Sequence, residues 1–451
     1  MLPAAPSALV ATTISSSQID LTWTDNAENE TGYKLERADD GVNFKLVKTM
    51  GPNMESHKNT GLKSNTTYYF RVRAYHGGGD SDASEVAQAK TLSGKEPEWN
   101  PEVIEADGFE GVTEGAALGV DTAKNRHVAF VTTDGYLRYG FRTNSMNAGW
   151  SFGVVDEEES AGLPAIVTPK FGELHISYAA LTTGALKYAT LDEDDNWVLE
   201  TVDDSSLTTG FASSIYTANS EVFISYLETE SPTQGTLRFA HRDSEGHWTL
   251  EKVDDIKYPE ISAYTGIGRD QQGNLHISYS NETAVMHATK LWNANSWDPA
   301  IILNAGDSGL VGVGSGIGVE NTGKVHATFT LWNDPNTSDA SQLHHAFYAS
   351  GAWQTEIVQS DEKSEGLRLP RILVDKGKIV HLAYLFDPDG KEEINTVRYA
   401  TNRSGDWKLY DVDTENEDIK HIYLAVDTSG TPYVLYVDGT SQKMKLAKGK
   451  L

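Results

Sequence analysis

A Trp followed five residues later by an aliphatic side chain recurs down this chain, with successive copies 47 to 56 residues apart. Clear copies run from Trp150 to Asp156, Trp197 to Asp203, Trp248 to Asp254 and Trp407 to Asp413, and looser ones begin at Trp297 and Trp353. Each of these closes a run of four predicted strands. The earliest copy, Glu98-Trp99-Asn100-Pro101-Glu102-Val103-Ile104-Glu105, has no hairpin partner beside it. At the other end of the chain, the run from Ile422 to Leu451 stops one strand short. An orphan strand at one end and a vacancy at the other predict that residues 98–105 cross over to complete the last unit, because an unpaired edge exposes backbone donors and acceptors.

The repeat between the Trp strands is equally regular. Its clearest form is Arg269-Asp270-Gln271-Gln272-Gly273-Asn274-Leu275-His276-Ile277-Ser278-Tyr279. An aliphatic strand leads into a tight turn, and a His or aromatic residue opens the second strand. The third strand ends in Tyr-Ala or a variant, as in Leu186-Lys187-Tyr188-Ala189 and Val397-Arg398-Tyr399-Ala400. Four strands over about 50 residues is the blade period of propellers. Six complete units and a three-stranded seventh, completed by the orphan strand, predict an all-β fold with a seven-bladed β-propeller over 98–451. The individual units resemble sialidase-like and NHL-like propeller repeats. That resemblance is limited to the blade, since WD dipeptides and the Ser-x-Asp-x-Gly-x-x-Trp box of sialidases are missing.

Residues 4–92 read differently. Short alternating strands are separated by polar turns. Pro6, Leu21-Thr22-Trp23, Gly32-Tyr33-Lys34-Leu35-Glu36-Arg37 and Gly61-Leu62 with Thr67-Tyr68-Tyr69-Phe70-Arg71-Val72 resemble a fibronectin type III domain. The resemblance implies an immunoglobulin-like sandwich over 1–92, with Trp23 as the core indole and Tyr68 as the corner tyrosine. It also implies export, because bacterial domains of this kind sit beside catalytic or binding modules in secreted proteins. Residues 93–97, Ser-Gly-Lys-Glu-Pro, are the expected linker. The start of the chain has no signal-peptide pattern, so an extracellular or cell-surface protein with its signal peptide removed is expected.

Charge narrows the partners. The 451 residues carry a formal net charge of −28, nearly all of it after residue 95, where the first module ends near neutrality. Such a surface disfavours nucleic acid, which is bound by Lys and Arg, and no apolar run is long enough for membrane insertion. The absence of Cys excludes disulfides and thiolate metal sites.

Repeated residues are expected to be structural. His127, His175, His276, His326 and His381 hold one position in five units, so they radiate around a ring instead of converging on a metal. The seven repeat Trp are expected to pack between blades, and Asp121, Asp270, Asp375 and Asp427 to bond their own turns. Function is then sought in what is not repeated. The loops joining strand four to the next strand one, and strand two to strand three, emerge on one face. The first set is acidic, as in Asp156-Glu157-Glu158-Glu159, Asp203-Asp204 and Asp254-Asp255. The second contains three long insertions, Glu228 to Gly235, Trp332 to Asp339 and Phe386 to Glu393.

On that face Trp332 and Phe386 are candidates for stacking on sugar rings. Asp334, Asp387 and Asp389 are candidates for accepting hydroxyls or holding calcium, the one cofactor left open. Glu260, Arg371, His421 and Tyr423 are expected near the channel mouth, as further ligand contacts. No nucleophile elbow, phosphate loop or metal-binding His motif appears. The expectation is an exported, non-enzymatic binding or adhesion protein for a glycan or protein partner. The alternatives are a glycan-active hydrolase or lyase using carboxylates on the same face, or a structural subunit of a surface assembly.

Overall fold

The computed structural model describes residues 2–13, 18–91, 98–104, 111–146, 148–170, 172–205, 209–257, 264–304, 310–320, 322–332, 341–362, 366–387, 396–414 and 418–450. Every regular element in them is a β-strand. The chain divides into two compact units, one of Met1–Pro97 with Thr401–Lys408 and the other of Glu98–Ala400 with Leu409–Lys450. The expected linker 93–97 lies outside the described residues.

In the first unit a three-stranded sheet (Ser7–Thr13, Ile19–Thr24 and Ser56–Asn59) faces a second sheet built on Gly32–Ala38 and Thr67–His76. Alternation along Thr67–His76 sends Tyr68, Phe70, Val72 and Ala74 inward, where they meet Ile19, Leu21, Trp23 and Leu35. Trp23 lies 5.9 Å from the Tyr33 ring. The Tyr68 hydroxyl accepts a 2.9 Å hydrogen bond from the Lys63 backbone N–H, the tie of a tyrosine corner. Both residues do the structural work the resemblance implied.

Beyond residue 98 the described strands form seven four-stranded antiparallel sheets. Blade two shows the pattern: Ala161–Val167, His175–Ala180, Ala185–Leu191 and Trp197–Asp203 pair in chain order. The second strand of each blade is almost wholly enclosed, as Arg126–Thr132 and Pro432–Asp438 illustrate, because a neighbouring blade covers each of its faces. Apolar clusters bridge successive blades, such as Leu137 and Val131 of blade one with Ile176 and Tyr178 of blade two. The last blade packs on the first through Leu435, Met444, Leu118 and Phe130. Seven sheets packed in sequence order, with the last against the first, make a closed β-propeller.

The closure is the one the orphan strand predicts. Glu98–Ile104 pairs antiparallel with Lys443–Lys450, from Ile104 opposite Met444 to Glu98 opposite Lys450. Ile104 is 3% exposed within the cluster joining the last blade to the first. Trp99 meets the Tyr399 ring of the preceding blade edge-on at 5.0 Å.

That contact recurs. Trp197 lies on Tyr139, Trp248 on Tyr188, Trp297 on Phe239 and Trp353 on His287, with ring centroids 5.1 to 5.4 Å apart. In each case the outer strand of one blade presses its indole on the third strand of the blade before. A second link joins the same neighbours. Tyr178, Tyr226 and Tyr279 donate to the carboxylates of Asp156, Asp203 and Asp254 of the preceding blade at 2.6 to 2.7 Å. Tyr436 does the same to Asp413, and Tyr384 to the Gln359 amide oxygen.

Four of the five repeat His bridge a turn acid to the third strand within one blade, while His175, whose turn carries Pro169 in place of the acid, meets the Tyr188 hydroxyl of the third strand at 2.6 Å. His127 and His381 sit between a carboxylate, Asp121 or Asp375, and a tyrosine hydroxyl, Tyr139 or Tyr399. In blades four and five the third-strand partner is a second imidazole. His276 Nδ1 is 3.1 Å from His287 Nε2, and His326 Nδ1 is 2.9 Å from His345 Nε2. Asp121 and Asp270 also accept backbone N–H groups of their own turns at 2.8 Å.

Candidate functional site

One of the three expected loop insertions has another character, and the aromatic residues that open the other two are buried. Glu228 to Gly235 is not a loop: Glu221–Ser231 and Gln234–Arg242 continue as a long hairpin in which Glu228 faces Thr236. The Glu228 carboxylate is bonded by the Arg238 guanidinium along that ribbon. Trp332 ends a buried strand at 8% exposure, and its indole N–H donates to the Leu367 carbonyl at 2.9 Å. Phe386 is 9% exposed beneath the Arg398 guanidinium, 4.1 Å from its ring. Asp387 is 4% exposed, and its backbone N–H donates to the Gly366 carbonyl. Neither ring offers a face to a sugar, contrary to the sequence expectation, because both end strands whose neighbours in the ring cover them. Asp334, Asp389 and Glu260 lie outside the described residues, as does most of each remaining insertion.

The acidic rim is likewise partly structural. Asp156 and Asp203 are 2% and 3% exposed and are held by tyrosines of the next blade. Burial alone would raise the Asp203 carboxyl. Hydrogen bonds from Ser205 and Tyr226 and the Arg238 charge nevertheless hold it below the usual carboxylate range. Among the described residues no three carboxylates or imidazoles converge in a way that would hold a metal ion.

Arg371, His421 and Tyr423 lie close together on the first strands of the last two blades. Arg371 lies between two phenol rings, 4.2 Å from Tyr264 and 5.3 Å from Tyr423, and its Nε–H donates to the Ile422 carbonyl at 3.0 Å. Burial, with the Arg371 and Lys420 charges nearby, lowers His421 to about 4. A 200 Å³ cavity beside this stack is walled by first strands, including Ala117, Ile166, Ile215 and Ile317. Cation–π packing holds the Arg371 guanidinium against the two rings, which leaves only this small cavity beside it.

The roomier concavity lies at the opposite end of the ring, where first strands turn into second strands. It measures 600 Å³ and is lined by Tyr216, Asn219, Arg269, Gln271, Gln272 and Trp292, among others. Trp292 is 65% exposed and is the only exposed Trp among the described residues. Its backbone N–H is held by the Asn274 side-chain oxygen at 3.0 Å. The Arg269 guanidinium lies 4.9 Å from the Trp292 ring and 5.5 Å from Phe223. Gly273 permits this arrangement: its φ is +88°, and a Cβ there would come within 3.0 Å of the indole. The result is an aromatic face beside amide donors and acceptors in a concave setting, which suits a ligand with both apolar and hydroxyl surfaces. Sequence reasoning missed it, although a signal existed. Trp292 falls five residues before the repeat Trp297, out of phase with every other blade.

Solved structures similar to this chain include AofleA from Arthrobotrys oligospora, at 12% identity over 72% of this chain and 92% of that one, with a TM-score of 0.46. A mutant of the Aleuria aurantia lectin in complex with Fucalpha1-6GlcNAc is 16% identical over 68% of this chain and 98% of that one, with a TM-score of 0.44. A fibronectin-III-like protein from Clostridium thermocellum is 25% identical over 21% of this chain and 98% of that one, with a TM-score of 0.18. No curated protein matches the chain. Residues 4–90 match the family model of the fibronectin type III domain.

Proposed function

We propose that this chain is an exported, non-enzymatic binding protein whose propeller takes a glycan into the concavity around Trp292. In this reading a fibronectin type III-like domain over 1–92 and a linker over 93–97 serve as spacer to a seven-bladed propeller over 98–451, with repeats of the sialidase-like or NHL-like kind. One observation carries the proposal: the indole of Trp292 is 65% exposed at the edge of a 600 Å³ cavity, braced from one side by Arg269. A pyranose has an apolar face and a hydroxylated rim. The ring answers the first, and Gln271, Gln272 and Asn219 answer the second. Arg269 is already fixed by its two aromatic neighbours, so the site is formed before a ligand arrives, which limits the ordering cost of binding.

The test is a glycan array probed with the full chain, followed by titration of any hit. Trp292→Ala should weaken binding about tenfold, the loss of one aromatic contact worth about 1.4 kcal/mol. Trp332→Phe, which keeps a buried ring away from the cavity, should leave affinity unchanged. Binding that ignores Trp292, or an array with no hit, would remove this reading and favour a protein partner.

A further inference from the structure

We propose that the seam where the two ends of the ring meet binds an oxyanion of the sulfate or phosphate type. The seam holds a second concavity of 370 Å³ between the last blade and the first, lined by Arg126, Arg142, Asn144, Lys448 and Lys450 and by one carboxylate, Glu102, among others. Four cationic side chains converge there in a chain whose net charge is −28.

Their counter-charges do not balance them. Arg142 is paired with Glu102 at 2.5 Å, and Lys124, just outside the cavity, engages Asp427 at 3.4 Å. Arg126 is 8% exposed, and its guanidinium makes only two long hydrogen bonds, of 3.3 Å each, to the Lys124 carbonyl and the Asn144 side chain. Among the described residues the Lys448 ammonium forms no ion pair, and it rests 5.3 Å from the Tyr433 ring. Glu98 is the cross-strand neighbour of Lys450 in register, again without an ion pair among the described residues. Burial and the neighbouring positive charges lower both Arg126 and Lys448, outweighing the opposing pull of Glu102 and Asp121 on the first and of Asp427 on the second.

Tyr433 forms part of the cavity wall at 1% exposure, with its hydroxyl turned toward Asp427. An oxyanion in the cavity would accept from the Asn144 amide while compensating Arg126 and Lys448. Charge-assisted hydrogen bonds of this kind are the strong ones. Because the cavity walls come from Lys443–Lys450, its partner strand Glu98–Ile104 and the first blade, occupancy would also strengthen the ring closure.

The experiment uses the full chain at constant ionic strength, exchanging sodium chloride for sodium sulfate or phosphate, with a sulfated monosaccharide and its unsulfated parent as further arms. The expected result is a saturable rise in thermal midpoint with sulfate that chloride does not reproduce. Lys448→Gln and Lys450→Gln should each weaken sulfate binding about tenfold, while Trp292→Ala leaves it unchanged. These exposed lysines are the variants of choice, since Arg126→Gln alters a buried side chain and threatens folding. Tighter binding of the sulfated sugar than of free sulfate, with the parent silent, would identify a saccharide-borne group, and equal affinity a free ion. Equal midpoints in chloride and sulfate with no calorimetric heat, or unchanged sulfate affinity in a folded K448Q/K450Q double variant, would overturn the proposal. Because the Trp292 site is read out separately with uncharged glycans, the failure of one proposal leaves the other standing.

Discussion

Most of the polar side chains that looked available in this chain are engaged by a neighbouring blade, and the tyrosine–carboxylate pairs show why. Tyr226 donates to Asp203 at 2.6 Å across the boundary between blades two and three, and both groups are buried. Removing the hydroxyl leaves a buried carboxylate short of a donor, so Tyr226→Phe should cost about 2 kcal/mol of stability, read from urea titration. Blade five has Phe329 at the equivalent position, so the ring tolerates the shape; the loss measures the hydrogen bond. Histidines supply a second prediction. Burial lowers His175 to about 4, and burial with the charge of His276 lowers His287 to about 3, against an ordinary value of 6.5. The unfolded chain therefore binds more protons than the native one between those limits. Stability should be fully present above pH 6.5 and fall as pH drops through the window from 6.5 toward 4 and then 3. His287→Tyr, which installs the residue found at Tyr188 and Tyr399, should flatten a plot of thermal midpoint against pH.

At the scale of the element, the outer strand is the part of the blade that reaches its neighbour. At five boundaries its Trp lies on the third strand of the preceding blade, and in three blades a Glu three residues on forms a latch with the following blade. Glu200 accepts from both Arg242 and the Trp248 indole, and Glu251 from both Lys290 and the Trp297 indole. Glu102 takes Arg142 in the same way. The repeat spacing made the Trp legible as packing residues, since a contact that serves every boundary must recur at every boundary. The latch acids were not legible, because a Glu beside a hairpin looks like a solvated charge until the neighbouring blade is in place. Trp99→Ala removes the indole from both the closing strand and Tyr399 and should cost about 3 to 5 kcal/mol, measured by chemical denaturation.

For the whole molecule, closure is the property that matters. The strand Glu98–Ile104 covers the edge of Lys443–Lys450, and a ring without it leaves seven unpaired residues of strand for another chain to use. A chain beginning at residue 98 should remain monodisperse in size-exclusion chromatography. One beginning at residue 106 should self-associate.

The sequence by itself determined the repeat, the number of sheets, the role of the orphan strand and the structural nature of the recurring His and Trp. All of these are periodic, and periodicity along a chain survives without coordinates. Only the tertiary structure decided which acids and rings remain available. Trp332 and Phe386 were read as ligand-facing because they adjoin long polar segments, yet each ends a strand that its neighbours bury. Trp292 was passed over within a short turn, yet it stands free beside the larger concavity. Exposure in a propeller is set by the blade next door, about 50 residues away in the sequence, and the local pattern carries only a trace of it, in the out-of-phase spacing of Trp292 from Trp297.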